Sequence, residues 1–207
     1  MKLFLNIFFV LFSISVSAAD FMPFFNHVVL VEGQAFTVTR FDRGGATKFG
    51  VTLQTYTNFC GMPFVTIVCD KNKDNRITSS DLALVTLGDV KPIYKQNYWN
   101  VIKGDMIQNQ AIAEFITDFV VNSGGSGSNI KSIQRILGTV QDGRIGSNTI
   151  NAINRQNPKI LFLKLFAFRM SFYKKIVLRN NSQQRFLKGW INRIVHLKNI
   201  YQNAKLI

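Results

Sequence analysis

Residues 32–52 read EGQAFTVTRFDRGGATKFGVT, and the fold turns on how this stretch divides. On its N-terminal side runs the apolar segment Phe21 to Phe36, in which Phe25, Val28, Val29 and Glu32 recur at three- and four-residue steps. That spacing sets them along one helical face, and the glycine after Glu32 ends the helix. On the C-terminal side, the glycines at 44, 45 and 50 and the alternation after Thr47 suit a tight turn or short hairpin. A carboxylate therefore closes an apolar helix just before a small β element.

Further along, Ser79 to Trp99 reads as a helix with Leu82, Leu84, Val85, Ile93 and Tyr94 as core candidates, kinked or divided at Pro92. Ala111, Ile112, Phe115, Ile116 and Phe119 mark Ile107 to Val121 as an amphipathic helix. It stops at a Ser/Gly-rich stretch ending at Ser128. After Ile130 to Leu137 and a turn at Asp142-Gly143 come two long helices. One opens at Asn157-Pro158 and repeats Leu161, Leu165, Phe168, Phe172 and Ile176; the other opens near Ser182 and repeats Phe186, Trp190, Ile194, Leu197 and Tyr201. Their lysines and arginines are expected on the opposite faces. The class is mainly α with a small β element.

Lys2 followed by the apolar run Leu3 to Val16 and by Ser17-Ala18-Ala19 reads as a secretory signal peptide, residues 1–19, cut after Ala18 or Ala19. A retained anchor is the alternative, but the run is shorter than a bilayer-spanning helix, and Lys164 and Arg169 interrupt the greasiest later stretch. About 190 residues then remain, enough for one ordinary core or two small lobes. Cys60 and Cys69 can pair in an oxidising compartment or stay as buried thiols. Of 25 Lys and Arg, fifteen lie beyond residue 128, against a single acid there, Asp142. Such asymmetry points to a polyanion or anionic surface, or else to a basic face that only aids solubility. For an exported chain the polyanions at hand are cell-wall polymers and headgroups, not nucleic acid. No stable membrane insertion is expected once the signal is removed.

Asp70, Asn72, Asp74, Arg76, Thr78 and Asp81 fall in a twelve-residue run that resembles an EF-hand calcium loop in the spacing of its oxygen-bearing side chains. Asn75 replaces the usual glycine, Asp81 the usual glutamate, and Lys71 and Lys73 dilute the negative charge. A weak calcium site and an aspartate-rich turn capping the next helix both remain open. Neither His27 nor His196 has neighbours in sequence that suggest a metal or nucleophile arrangement.

Glu32 is one of only two glutamates, the other being Glu114. A carboxyl partly buried among apolar groups titrates high enough to donate a proton, the requirement for splitting a glycosidic bond. On composition alone an ordinary helix-end carboxylate is the better reading. The surrounding motifs reverse it. Glu32-Gly33, Asp42 and Gly44 to Thr52 closely resemble the N-terminal signature of glycoside hydrolase family 108. The resemblance continues through Asp74 to Thr78 with Asp81-Leu82, Ile93-Tyr94 with Tyr98-Trp99, Asp118 to Gly124, Asp142 to Gly146 with Thr149, and Phe186 to Arg193. One departure stands beside these: Gln34-Ala35-Phe36 replaces a second glycine and an aromatic.

The resemblance implies an N-acetylmuramidase acting on peptidoglycan, with a lysozyme-like catalytic lobe at 20–122, a linker at 123–128 and a basic, helical peptidoglycan-binding lobe at 129–207. It implies Glu32 as the catalytic acid. By looser analogy with phage-type lysozymes, Asp42 and Thr47 are candidates to hold water or stabilise the oxocarbenium-like transition state. Tyr98 is a candidate to stack on a sugar ring, as core packing is its alternative. Asp118 and Asn122, one helical turn apart, are candidates to line the groove or to make a cap or interlobe hydrogen bond. No cofactor is required by this chemistry, with calcium as the one open addition. The competing expectation is a catalytically weak or inactive wall- or partner-binding module; membrane permeabilisation by the basic helices is disfavoured, because the first long helix is apolar on too many faces.

Overall fold

The computed structural model describes residues 18–33, 35–38, 45–124 and 127–207. The expected signal peptide lies almost wholly outside them, and so does Asp42.

Helix α1 (Phe21–Glu32) starts where Asp20 accepts the Met22 amide and ends at Gly33, whose φ of +83° turns the chain away. It buries Phe21, Phe24, Phe25, Val28 and Val29, the face expected from their spacing. Strands β1 (Thr37–Val38), β2 (Ala46–Lys48) and β3 (Val51–Thr52) follow as an antiparallel sheet in sequence order. Thr47 sits at its centre, opposite Thr37 on one side and Thr52 on the other. Thr52 then caps α2 (Leu53–Cys60), and Cys60 is disulfide-bonded to Cys69.

The expected helix from Ser79 to Trp99 is instead α3 (Ser79–Leu84) and α4 (Leu87–Tyr94), continued by a π-helical turn, Lys95–Trp99. The break falls before Pro92, at Val85–Thr86. Thr78 with Asp81, and Thr86 with Asp89, each form a reciprocal capping box, so two helix starts are satisfied where one continuous helix would keep only the first.

Helix α5 (Gln110–Asn122) is the centre of the molecule. Its apolar stripe was expected to leave a polar face in water, yet every residue from Ala111 to Val120 is buried, Glu114, Thr117 and Asp118 included. Phe115 and Phe119 alone contribute about 1.5–3 kcal/mol each by leaving water. Helix α6 (Gly127–Leu137) begins inside the stretch expected to be linker, and α7 (Ser147–Asn154) follows the turn at Asp142. Helices α8 (Pro158–Arg179) and α9 (Gln184–Asn203) pack on each other, and α8 packs on α5. Their starts match the expectation. The inner face of α8 differs: Leu161, Phe162, Leu165, Arg169 and Tyr173 are buried, while Phe168, Phe172 and Ile176 are only partly so.

Candidate active site

Glu32 is held from two sides. The turn between β2 and β3 presses on its stem: a Cβ added at Gly50, φ +73°, would lie 2.5 Å from Glu32 Cβ and 2.5 Å from the Tyr94 hydroxyl. Only glycine allows that approach. Tyr94 fastens the same turn by donating to the Phe49 carbonyl at 3.0 Å. The second contact comes from α9, where Arg193 donates from Nη1 to Glu32 Oε1 at 2.5 Å. The Glu32 side chain keeps 25% of its exposure. Apolar surroundings were expected around this carboxyl; its nearest partner is a guanidinium.

Arg193 is itself fixed by Asp118, whose Oδ1 accepts from Nε at 2.8 Å and lies 2.6 Å from Nη2. Asp118 Oδ2 accepts from Arg169 Nη2 at 2.8 Å. Arg169 also donates to the Phe115 carbonyl and to the Tyr173 hydroxyl, which in turn donates to Asn122 Oδ1 at 2.8 Å. Burial alone would raise the Asp118 carboxyl, but the charges of Arg169 and Arg193 outweigh it and hold it below the ordinary value. Burial likewise opposes the Arg193 charge, and Asp118 with Glu32 reverses this and raises its pKa.

These contacts decide between the two readings of Asp118. It is 1% exposed with both oxygens engaged, and half-buried Asn122 accepts from Tyr173; they make the interlobe hydrogen bonds that were the alternative to a groove, tying α5 to α8 and α9. Of the two glutamates, Glu114 is buried and accepts from Gln110 and Tyr201, which leaves Glu32 as the one that reaches solvent. His27, one turn before Val31 on α1, stacks on His196 of α9 with ring centroids 5.7 Å apart. Burial lowers its pKa, opposed by Asp118 and aided by Arg193 and His196.

Tyr98 does face open space. With Asn58, Phe64, Gln96 and Asn97 it lines a concavity of about 410 Å³ that carries no charged side chain. Its ring lies 5.5 Å from that of Tyr94. Burial, with a smaller push from the Glu32 charge, raises its pKa and keeps the phenol a hydrogen-bond donor. Aromatic rings beside amides suit an N-acetylated sugar, whose apolar ring face stacks while its amide exchanges hydrogen bonds. Thr47 lies partly exposed on β2, in the sheet whose β2–β3 turn touches Glu32.

The stretch from Asp70 to Asp81 is folded on itself. Asp81 is fully buried, with Oδ1 accepting the amides of Lys71 and Asn72, and Oδ2 the amide and hydroxyl of Thr78. Asp70 accepts from Asp74 and Asn75, and Asp74 from Arg76. A calcium loop needs the oxygens of its last position turned to the ion. Here they are spent on backbone donors, so the residues do not fit calcium, and among the described residues no group of acidic, histidine or cysteine side chains converges as a metal site.

Sequence reasoning missed both arginines. Arg169 lies at four-residue steps from Leu161 and Leu165, so the periodicity itself carried it inward. Arg193 stood within a quoted motif but was assigned no role.

Residues 25–124 match the model of the family described as Glycosyl hydrolase 108, and residues 128–195 match that of a Predicted Peptidoglycan domain. No curated protein sequence matches. Among solved structures the chain is similar to Brucella abortus SagA, at 25% identity over 86% of this chain and 91% of that one, with a TM-score of 0.67. The fold is thus mainly α and lysozyme-like, with a small sheet and a helical C-terminal lobe.

Proposed function

Since the chain belongs to glycosyl hydrolase family 108 and continues into a peptidoglycan domain, we propose that it is an exported N-acetylmuramidase that uses Glu32 as its catalytic acid. It cuts the β-1,4 bond between N-acetylmuramic acid and N-acetylglucosamine. The observation that carries this reading is the position of Glu32: a solvent-reaching carboxyl, fixed by Gly50 and Arg193, beside a turn fastened by Tyr94, whose ring lies 5.5 Å from that of Tyr98 on an uncharged concavity.

In this reading the glycan lies along the concavity with a sugar ring on Tyr98. Glu32 protonates the leaving oxygen as the bond opens. A guanidinium pairs with a carboxylate, so the proton-bearing form requires the Arg193 contact to loosen as substrate enters. Asp42 and Thr47, on the segment after Glu32, hold water or stabilise positive charge at the reacting carbon. Acid catalysis with water needs no cofactor. Export rests on the signal-like residues 1–19 and suits the Cys60–Cys69 disulfide, which belongs to oxidising compartments. Among the described residues no helix is long and apolar enough to cross a membrane.

The Glu32–Arg193 pair also favours a second reading, a wall-binding module in which the carboxylate is permanently occupied. Digestion of purified sacculi by the mature protein and its Glu32→Gln variant, with mass analysis of the released ends, separates the two. New ends at N-acetylmuramic acid from the wild type alone support the muramidase. No release by either protein, with both still sedimenting with sacculi, supports the binding module.

A further inference from the structure

A second concavity, of about 260 Å³, lies between α6 and α8, within the peptidoglycan-domain match. Its floor is apolar, formed by the partly exposed Phe168, Phe172 and Ile176. Its rim carries Arg135 from α6 and Lys175 and Arg179 from α8, all exposed, and no acidic side chain. Arg135 reaches the amide oxygen of Gln141 at 3.2 Å. Neither Lys175 nor Arg179 has an ion pair among the described residues.

The two concavities have opposite chemistry. The one at Tyr98 is uncharged and amide-rich; the one on α6 and α8 sets three cations around phenylalanine rings. Peptidoglycan divides the same way, into a glycan of N-acetylated sugars and short stem peptides that bear free carboxylates on alkyl side chains. A neutral glycan would strip water from the cations and return nothing, whereas carboxylates form charge-assisted hydrogen bonds and the alkyl groups cover the rings. We propose that the α6–α8 groove is a binding site for the carboxylate-bearing stem peptide, separate from the glycan cleft. This rests on peptidoglycan being the partner but not on Glu32 being catalytic.

The test is sedimentation of the mature chain carrying Glu32→Gln, which leaves the polymer intact, with whole sacculi, with chitin, an insoluble neutral glycan of N-acetylated sugars that carries no stems, and with anionic phospholipid vesicles. Lys175→Gln with Arg179→Gln is compared with Lys159→Gln with Lys164→Gln, an equal charge loss on the same helix outside the groove. Losing two charge-assisted contacts weakens binding to whole sacculi about tenfold or more, and the control pair changes it far less. On chitin the groove variant and its parent bind alike. Equal losses from both pairs, an unchanged groove variant, a loss that persists on chitin, or a loss confined to vesicles would each overturn the proposal. Because binding is read without cleavage, failure of the muramidase reading leaves this result interpretable.

Discussion

Replacing Arg193 with methionine keeps much of the side chain's bulk and removes the charge that joins two carboxylates. Asp118 is 1% exposed but retains Arg169 at 2.8 Å, so it is not left alone. Removing one partner of a buried pair costs about 3–5 kcal/mol when the other is stranded, and the surviving arginine brings the expectation to roughly 2–3 kcal/mol. For a chain of this size that lowers Tm by about 4–12 °C. Glu32→Gln breaks only the outer contact, where the carboxylate side chain is 25% exposed, and costs ~0.5–1.5 kcal/mol. The informative quantity is their coupling. If Arg193 holds Glu32 directly, the glutamine costs less once Arg193 is gone, with an interaction energy of about 0.5–1.5 kcal/mol, most of its single cost. Urea denaturation of the wild type, both single variants and the double variant at pH 7 measures it. Additivity to within about 0.3 kcal/mol would refute the contact, and with it the claim that α9 helps set the Glu32 carboxylate.

Three further outcomes follow from the geometry. Gly50→Ala forces a Cβ against Glu32 and Tyr94 at a positive φ, so hydrolysis of sacculi should drop at least tenfold, with a stability loss of about 1–2 kcal/mol; full activity would show that the turn does not seat Glu32. Acidification should weaken the fold in two stages: His27, lowered from 6.5, imposes no penalty above about pH 6.5 and a growing one below it, and Asp81, Asp89 and Asp118, lowered from 3.8, lose their contribution as pH falls through their lowered values. Thermal melts from pH 8 to 3 check this, and His27→Asn should flatten the upper stage alone. Reducing Cys60–Cys69 frees a short loop and should cost about 2–3 kcal/mol by chain entropy, read as a shift in the urea midpoint with and without reductant.

The buried face of α1 and the start of α8 at Asn157-Pro158 were legible because both rest on local signals, apolar spacing and a cap. The break between α3 and α4 was not read: division was expected at Pro92, and continuous apolar spacing across Val85 hid the box Thr86–Asp89 that starts the second helix. Arg169 was harder. Charge assigned it to the surface although its register pointed inward, and the carboxylate that neutralises it lies 51 residues away. The Glu32–Arg193 contact spans 161 residues, and no window of sequence carries that distance. The motif spacing left Asp118 open between a groove and an interlobe hydrogen bond for the same reason: its register was visible, while the two arginines that enclose it were not.

That separation has a consequence in time. Synthesis proceeds from the N-terminus at about 5–20 residues per second, so Glu32 is made some 8–30 s before Arg193. From its own synthesis, 75 residues before Arg193, Asp118 also lacks one of its two counter-charges, and until α8 has been made it lacks both. A chain stopped anywhere before α9 therefore holds Glu32 without the side chain that pairs with it. The surroundings of a carboxylate on α1 are completed only when α9 has been made.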